Sequence, residues 1–220
     1  MRRLVVITGA SKGLGKGLTN TLLSRDQYDL VTMSRSDIEQ SDHPSVKHFK
    51  VDLTQPGDYR WLRDICEDYS KVTFINNAGL ISPIGFIGGF SVEEIERNIY
   101  TNQIAPFSII NALVKNNFKY ELSIINITSG AANKLIKGWS LYSVTKAAVL
   151  NFLEHLKDQH SRIKIFSFDP GVLDTEMQLL IRSSSDKNFP DVANFQAMKN
   201  EGFLKDPIVQ AEEIVNRFLD

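Results

Sequence analysis

The stretch Leu4-Val5-Val6-Ile7-Thr8-Gly9-Ala10-Ser11-Lys12-Gly13-Leu14-Gly15 joins an apolar, β-branched run directly to a glycine-rich turn. The run is continuous rather than alternating, which is the pattern of a strand covered on both faces of a parallel sheet. Gly9, Gly13 and Gly15 permit a tight turn, a close backbone approach to a pyrophosphate, and close packing of the helix that follows. A phosphate at this turn meets the free N–H groups at the helix start, where the helix dipole favours negative charge. Strand, glycine turn and helix in this order predict the opening unit of an α/β sheet that binds a dinucleotide.

The rest of the chain repeats the alternation. Further strands are expected at Leu30–Ser34, Lys47–Val51, Thr73–Asn76, Ser123–Thr128 and Ile163–Ser167, with the first at Leu4–Thr8. Helical periodicity fills Gly13–Ser24, Pro56–Tyr69, Val92–Asn116, Ser140–Gln159 and Pro207–Leu219. Six strands alternating with helices imply right-handed crossovers and a doubly wound parallel sheet, the Rossmann fold. One domain spanning residues 1–220 is expected, with no repeat, linker or low-complexity tract. Residues 174–205 lack strand character and carry the polar break Arg182-Ser183-Ser184-Ser185-Asp186-Lys187 between two short helical stretches. A long excursion of that kind reads as a lid.

Composition narrows the function classes. With 42% hydrophobic and 23% charged residues among 220, the chain can bury a core without metal or disulfide staples. A net charge of -1 points to neither nucleic acid nor an anionic membrane as partner. The single cysteine, Cys66, forms no intrachain disulfide and reads as a buried structural thiol in a reducing compartment. No run approaches the ~18 apolar residues of a membrane span, and Leu4–Ile7 is too short for a signal sequence, so a cytoplasmic location is expected. His43, His48, His155 and His160 show no metal-ligand spacing and read as surface residues, so no metal is expected.

The glycine spacing is Gly-x-x-x-Gly-x-Gly, and Thr8-Gly9-Ala10-Ser11-Lys12-Gly13-Leu14-Gly15 is similar to the opening motif of the short-chain dehydrogenases/reductases. The resemblance covers nearly the whole chain. Asn76-Asn77-Ala78-Gly79 looks like the family's motif beside the adenine ribose, and Asp52 matches the residue that meets the adenine. Asn102 matches the catalytic asparagine. Ser129 lies thirteen residues before Tyr142, and Tyr142-Ser143-Val144-Thr145-Lys146 is the Tyr-x-x-x-Lys signature. Pro170-Gly171-Val172-Leu173-Asp174-Thr175 looks like the family's Pro-Gly turn, with Thr175 near the nicotinamide carboxamide. The resemblance implies a catalytic set of Asn102, Ser129, Tyr142 and Lys146. It implies cofactor contacts from Gly9, Ser11, Lys12, Gly13, Leu14, Gly15, Ser34, Arg35, Asp52, Asn77, Ala78, Gly79, Pro170, Gly171, Val172 and Thr175, together with Tyr142 and Lys146.

The chemistry also follows from residue types. Tyr142 and Lys146, four apart, share one face of a helix. A phenol with a pKa of about 10 is a poor catalyst at neutral pH. A nearby ammonium favours the phenolate, and on that ground the Tyr142 pKa is expected to be lowered. Tyr142 is then a proton donor to a carbonyl oxygen held by Ser129. Asn102, as in the family, is expected to bind a water linking Lys146 to solvent. At the end of the second strand, Ser34 stands where an enzyme specific for NAD carries its acid, and Arg35 follows. Arg35 and Lys12 make a coherent site for a 2′-phosphate, with Asp37 close enough to dilute the effect, so NADP is the expected cofactor.

Within the family, residues 170–178 and 181–185, with Ser129-Gly130-Ala131-Ala132 and Gly138–Tyr142, resemble bacterial benzil reductases and sepiapterin-reductase-like members. This implies NADPH-dependent reduction of a ketone or vicinal diketone to the alcohol. Trp139, Phe189 and Phe195 are candidates for an apolar wall under the lid, although each reads first as ordinary packing. Members of the group usually add a seventh strand after the last helix, whereas this chain stops at Phe218-Leu219-Asp220 and six strands are evident. The family's usual homodimer pairs the helices corresponding to Val92–Asn116 and Ser140–Gln159. The alternative from another class is a sensor or regulatory protein that binds NADP without turnover.

Overall fold

Arg3–Thr8 forms β1 and lies in the interior of the sheet. In the computed structural model, which describes residues 2–115 and 118–219, β1 pairs in parallel with Tyr28–Ser34 (β2). Beyond β2 lies Val46–Lys50 (β3). On its other side β1 pairs with Lys71–Asn76 (β4), followed by Glu121–Ile127 (β5) and Lys164–Phe168 (β6), all parallel. The order β3-β2-β1-β4-β5-β6 is doubly wound, and its direction reverses between β1 and β4. A crevice opens at that reversal, beyond the carboxyl ends of the strands. All six expected strands are present, and among the described residues no seventh joins them.

The helices are α1 (Gly13–Leu23), α2 (Trp61–Cys66), α3 (Val92–Ile99), α4 (Ala105–Val114), α5 (Ser140–Gln159), α6 (Glu176–Arg182), α7 (Val192–Asn200) and α8 (Pro207–Phe218). Strand side chains alternate between faces, and both faces are covered. Leu4 and Val6 join Met33, Phe74 and Ile124 in a core closed by α2, α4 and α5. Val5 and Ile7 join Leu30, Ile75 and Ile125 in a second core closed by α1 and α8. Cys66 is fully buried in the first of these. The two-sided burial explains why the strand sequences are continuous apolar runs.

Two helices differ from expectation. The helix expected at Pro56–Tyr69 is confined to Trp61–Cys66. Asp58 accepts the Arg60 backbone N–H at 3.0 Å, a side-chain turn that competes with helix formation over the residues before it. The helix expected at Val92–Asn116 is divided by a π-turn at Tyr100–Ile104 and ends at Val114, and Asn116 lies outside the described residues. Pro106 has no N–H to donate to the Asn102 carbonyl one turn back, which removes a regular α-helical bond at this place. The helix start is well specified, since Ser91 and Glu94 form a reciprocal capping box.

α6 and α7 occupy the excursion at 174–205, on either side of the expected polar break. Its two ends are stitched together, because Asp174 N–H donates to Lys205 O at 3.0 Å and Lys205 N–H donates to Val172 O at 2.9 Å. His48, expected at the surface, is instead half-buried, within 2.9 Å of Thr32 Oγ1 and 3.1 Å of Ser36 O. No helix among the described residues is long and apolar enough to cross a membrane.

Phe74 has no exposed surface and sits mid-sheet. Phe74→Ala is expected to destabilise the fold by about 3–5 kcal/mol, read as a lower midpoint in urea unfolding. A loss of less than about 1 kcal/mol would contradict this account of the core.

Candidate active site

Most of the chemically interesting residues follow a strand end. Gly9 follows β1, Arg35 follows β2, Asp52 lies just past β3, Asn77 follows β4, Ser129 lies just past β5 and Asp169 follows β6. A parallel sheet puts all these ends on one edge, so the residues gather around a single cavity of about 810 Å³. Of the catalytic and cofactor-contact residues expected from sequence, all line it except Gly15 and Asn102.

At the glycine turn, a Cβ on Gly15 would stand 2.0 Å from the Gly9 carbonyl oxygen, so only glycine lets α1 start this close to the turn. Asn77 fastens the turn from β4, with Nδ2 donating to Thr8 O at 2.9 Å and Gly9 O at 3.2 Å. Thr8 Oγ1 in return accepts the N–H groups of Asn77 and Ala78, each at 3.1 Å. No side chain caps the start of α1. Lys12 crosses the cavity mouth to pair with Glu176, in the first turn of α6.

Beyond β2, the Ser34 hydroxyl donates to Ser36 O at 2.6 Å, and Arg35 is exposed. Asp37 pairs with Lys50 at 2.8 Å, which holds its carboxyl below the ordinary value. Its charge is therefore directed to Lys50 rather than Arg35. Asp52 Oδ1 accepts the Thr54 N–H at 3.0 Å and the Thr54 hydroxyl at 2.8 Å. Desolvation pushes the Asp52 pKa up, but these hydrogen bonds and the Arg35 and Arg97 charges outweigh it and leave the pKa lowered.

Tyr142 and Lys146 lie one turn apart on α5, each 6% exposed. Lys146 Nζ donates to Ile127 O at 2.9 Å and stands 5.8 Å from the Tyr142 ring centroid. Burial pushes the Tyr142 phenol up to about 12, against a hydrogen bond with Ser129 that favours the phenolate. Burial pushes the Lys146 ammonium down to about 8, and the Asp169 carboxylate partly opposes it. The expected lowering of the Tyr142 pKa is thus corrected. Desolvation disfavours both charged forms here, and it outweighs any attraction of the ammonium for a phenolate.

Asn102 sits behind the cavity, 2% exposed, in the π-turn. Its Oδ1 accepts the Leu80 N–H at 2.8 Å, and its Nδ2 donates to Leu80 O, Asn98 Oδ1 and Thr145 Oγ1. A Cβ added to Gly79 would lie 3.6 Å from Lys146 Nζ and 3.8 Å from Asn102 Oδ1, so the two polar atoms face one small space. Three residues in this region were not singled out from sequence. Asn98 lies four residues before Asn102, a spacing that places both on one helix face, and it donates to Leu80 O and Ser82 O. Thr145, inside the Tyr-x-x-x-Lys motif, bonds Asn98 Oδ1 at 3.2 Å. Asp169 immediately precedes the Pro170-Gly171 turn and accepts the Gly171 N–H at 2.9 Å.

The apolar wall is partly as expected. Trp139 and Phe195 line the cavity, whereas Phe189 is fully buried and stacked on Trp139 at 5.0 Å. These residues join Ile81, Tyr142, Ile181 and Val192 in a third core that packs α6 and α7 over the site. Gly138 makes this approach possible, since a Cβ there would stand 2.3 Å from Asn188 O.

The buried lysine has a cost that pH should reveal. Below about 8 both folded and unfolded chains hold the Lys146 proton, and the full desolvation penalty stands. Between about 8 and 10.5 only the unfolded chain holds it, so rising pH relieves the penalty. Lys146→Met is expected to be more stable than the parent at pH 7 by up to about 3 kcal/mol, with the gap narrowing toward pH 10. Thermal melts at the two pH values check both the sign and the trend.

Comparison with known proteins agrees with this geometry. The sequence model of the short chain dehydrogenase family matches residues 3–186. The benzil reductase ((S)-benzoin forming) of Bacillus subtilis is 35% identical over 216 residues, covering 93% of this chain and 88% of that protein. The Bacillus cereus benzil reductase is 31% identical, covering 97% and 93%, and the sepiapterin reductase of Bos taurus is 28% identical, covering 98% and 89%. Among solved structures, the KRED1-Pglu enzyme superposes with a TM-score of 0.88 at 26% identity, covering 99% of this chain and 95% of that one. The chain is a member of the short-chain dehydrogenase/reductase family and an oxidoreductase acting on carbonyl compounds.

Proposed function

We propose that this protein uses NADPH to reduce a ketone or vicinal diketone to the alcohol, with Tyr142 as the proton donor. The observation that carries the reading is the meeting of Ser129, Tyr142 and Lys146 at the cavity that also holds the glycine turn. Two benzil reductases among the relatives support the substrate class.

The residues present fit a dinucleotide. The α1 start is uncapped, and the glycines leave a cradle that a Cβ at Gly15 would fill. In this reading Gly9, Ser11, Gly13, Leu14 and Gly15 receive the pyrophosphate, and Lys12, Ser34 and Arg35 receive the 2′-phosphate. Asp52 meets the adenine, while Asn77, Ala78 and Gly79 flank its ribose. Pro170, Gly171, Val172 and Thr175 hold the nicotinamide end, with Tyr142 and Lys146 close to it. When bound, the reduced nicotinamide supplies the hydride.

The chain supplies the proton. Ser129 holds the carbonyl oxygen, and Tyr142 donates its proton to that oxygen as negative charge develops there. The raised phenol pKa keeps Tyr142 in the proton-donating form at neutral pH. Lys146 stabilises the phenolate left behind. Asn102 holds a water in the space facing Gly79, through which Lys146 regains a proton from solvent. Residues 174–205 form a lid that excludes bulk water from the site. Val92 on α3, Ile104 in the π-turn before α4 and Val144 on α5 are exposed apolar residues, and a homodimer through these helices is part of the same reading.

Oxidation of NADPH in the presence of benzil is the direct test. Tyr142→Phe is expected to lose about 10²- to 10⁴-fold in rate while binding of NADPH survives, and full activity in this variant would overturn the assignment of the donor. Tight NADPH binding with no turnover across a broad carbonyl panel would instead identify a sensor. Arg35→Ala is expected to weaken NADPH at least about tenfold and leave NADH nearly unchanged. Equal penalties for both cofactors would overturn the NADP preference. The reduction rate is expected to fall above about pH 8, where Lys146 loses its proton while Tyr142 keeps its own until about 12.

A further inference from the structure

The anionic side chains lining the cavity are not equivalent. Glu176 pairs with Lys12, and Asp174 pairs with Lys199 at 2.7 Å. Asp52 lies at the far end, engaged by Thr54 and beside Arg35. Asp169 differs from all three, because among the described residues no lysine or arginine lies within ion-pair distance of it. It is exposed to the cavity, and its Oδ1 is anchored by the Gly171 N–H at 2.9 Å. Its Oδ2 lies 3.3 Å from where a Cβ on Gly130 would be, beside the Ser129 segment. The carboxylate therefore stands on the side of the cavity where Ser129 is, with one oxygen held and the other directed toward Gly130.

Its charge reaches the reacting groups, since it acts electrostatically on both Tyr142 and Lys146. The same cavity carries an apolar wall of Ile81, Ala131, Trp139, Met177 and Phe195 alongside the polar groups of Ser129, Tyr142 and Lys146. A carboxylate with no ion-pair partner at such a cavity discriminates by charge, since it attracts a cationic neighbour of the reacting carbonyl and repels an anionic one. An anionic substituent set beside Asp169 brings two like charges together, and that repulsion rejects it.

We propose that Asp169 selects the substrate: it favours ketones that carry a positively charged or hydrogen-bond-donating group one or two bonds from the reacting carbonyl and rejects keto acids. This rests on the carbonyl-reductase reading above and adds to it the chemical class of the second substituent. Ser129 and Tyr142 engage the carbonyl oxygen, while Asp169 reads the group beside it. No new covalent step is involved.

The test is a matched series with NADPH in which the phenyl ketone is constant and its neighbour changes in charge: N,N-dimethylphenacylamine, methyl phenylglyoxylate and phenylglyoxylate. The parent is expected to show kcat/KM falling from cation to neutral ester to anion, by about tenfold or more between ester and acid. Asp169→Asn keeps an oxygen for the Gly171 N–H and removes the charge. It is expected to raise kcat/KM for the acid about tenfold and lower it for the amine by a similar factor, mainly through KM, with the ester within about twofold. Asp169→Ser, whose hydroxyl also accepts the Gly171 N–H, is expected to flatten the series in the same way and serves if the first variant folds poorly. A parent series that is not graded by charge, ratios unchanged in both variants, or an equal loss on all three substrates would overturn the inference and leave the reductase reading intact. If the parent turned over none of the three, nor benzil, the reductase reading would fail and this inference with it.

Discussion

A parallel sheet has no short way to pair neighbouring strands, so every connection must cross a face of the sheet and cover it. That constraint governs this protein. Because α1 and α8 cover one face and α2, α4 and α5 the other, the interior strands β1, β2, β4 and β5 are apolar on both sides. Every crossover also returns the chain to the same edge before the next strand. The carboxyl ends of all six strands therefore meet on one side, and the order reversal between β1 and β4 opens a crevice there. Gly9, Arg35, Asp52, Asn77, Ser129 and Asp169 come together through this geometry, although 160 positions separate the first from the last.

Within the crevice, burial sets the electrostatics. Tyr142 and Lys146 are almost entirely withdrawn from solvent, and desolvation pushes both toward their neutral forms. For a proton donor to a carbonyl this is useful, since the phenol keeps its proton until negative charge develops on the substrate. The support is structural as well. Asn98, Asn102 and Thr145 form a buried hydrogen-bonded network that joins the π-turn to α5 and to the backbone at Leu80. A satisfied network of this kind fixes side chains that an apolar core would leave free to shift.

Much of this was legible from sequence, for identifiable reasons. The strand positions followed from continuous β-branched runs, and α5 was placed from residue 140 to 159 because its periodicity is uninterrupted. The errors arose where local side-chain chemistry overrode periodicity. Asp58 turns the chain ahead of α2, and the segment from Val92 bulges at Tyr100–Ile104, just ahead of Pro106. The raised phenol pKa was misjudged from the Tyr-Lys spacing, because spacing on one helix conveys proximity and nothing about solvent.

The sequence alone determined the sheet class and the glycine turn through periodicity and spacing, and its resemblance to the family grouped Ser129 with Tyr142 and Lys146. Only the tertiary structure decided the protonation of Tyr142 and Lys146, the Asn98–Asn102–Thr145 network, the pairing of Lys12 with Glu176 and the position of Asp169. Those depend on which distant segments exclude water and which charges face each other, and desolvation and Coulomb interactions act through space rather than along the chain.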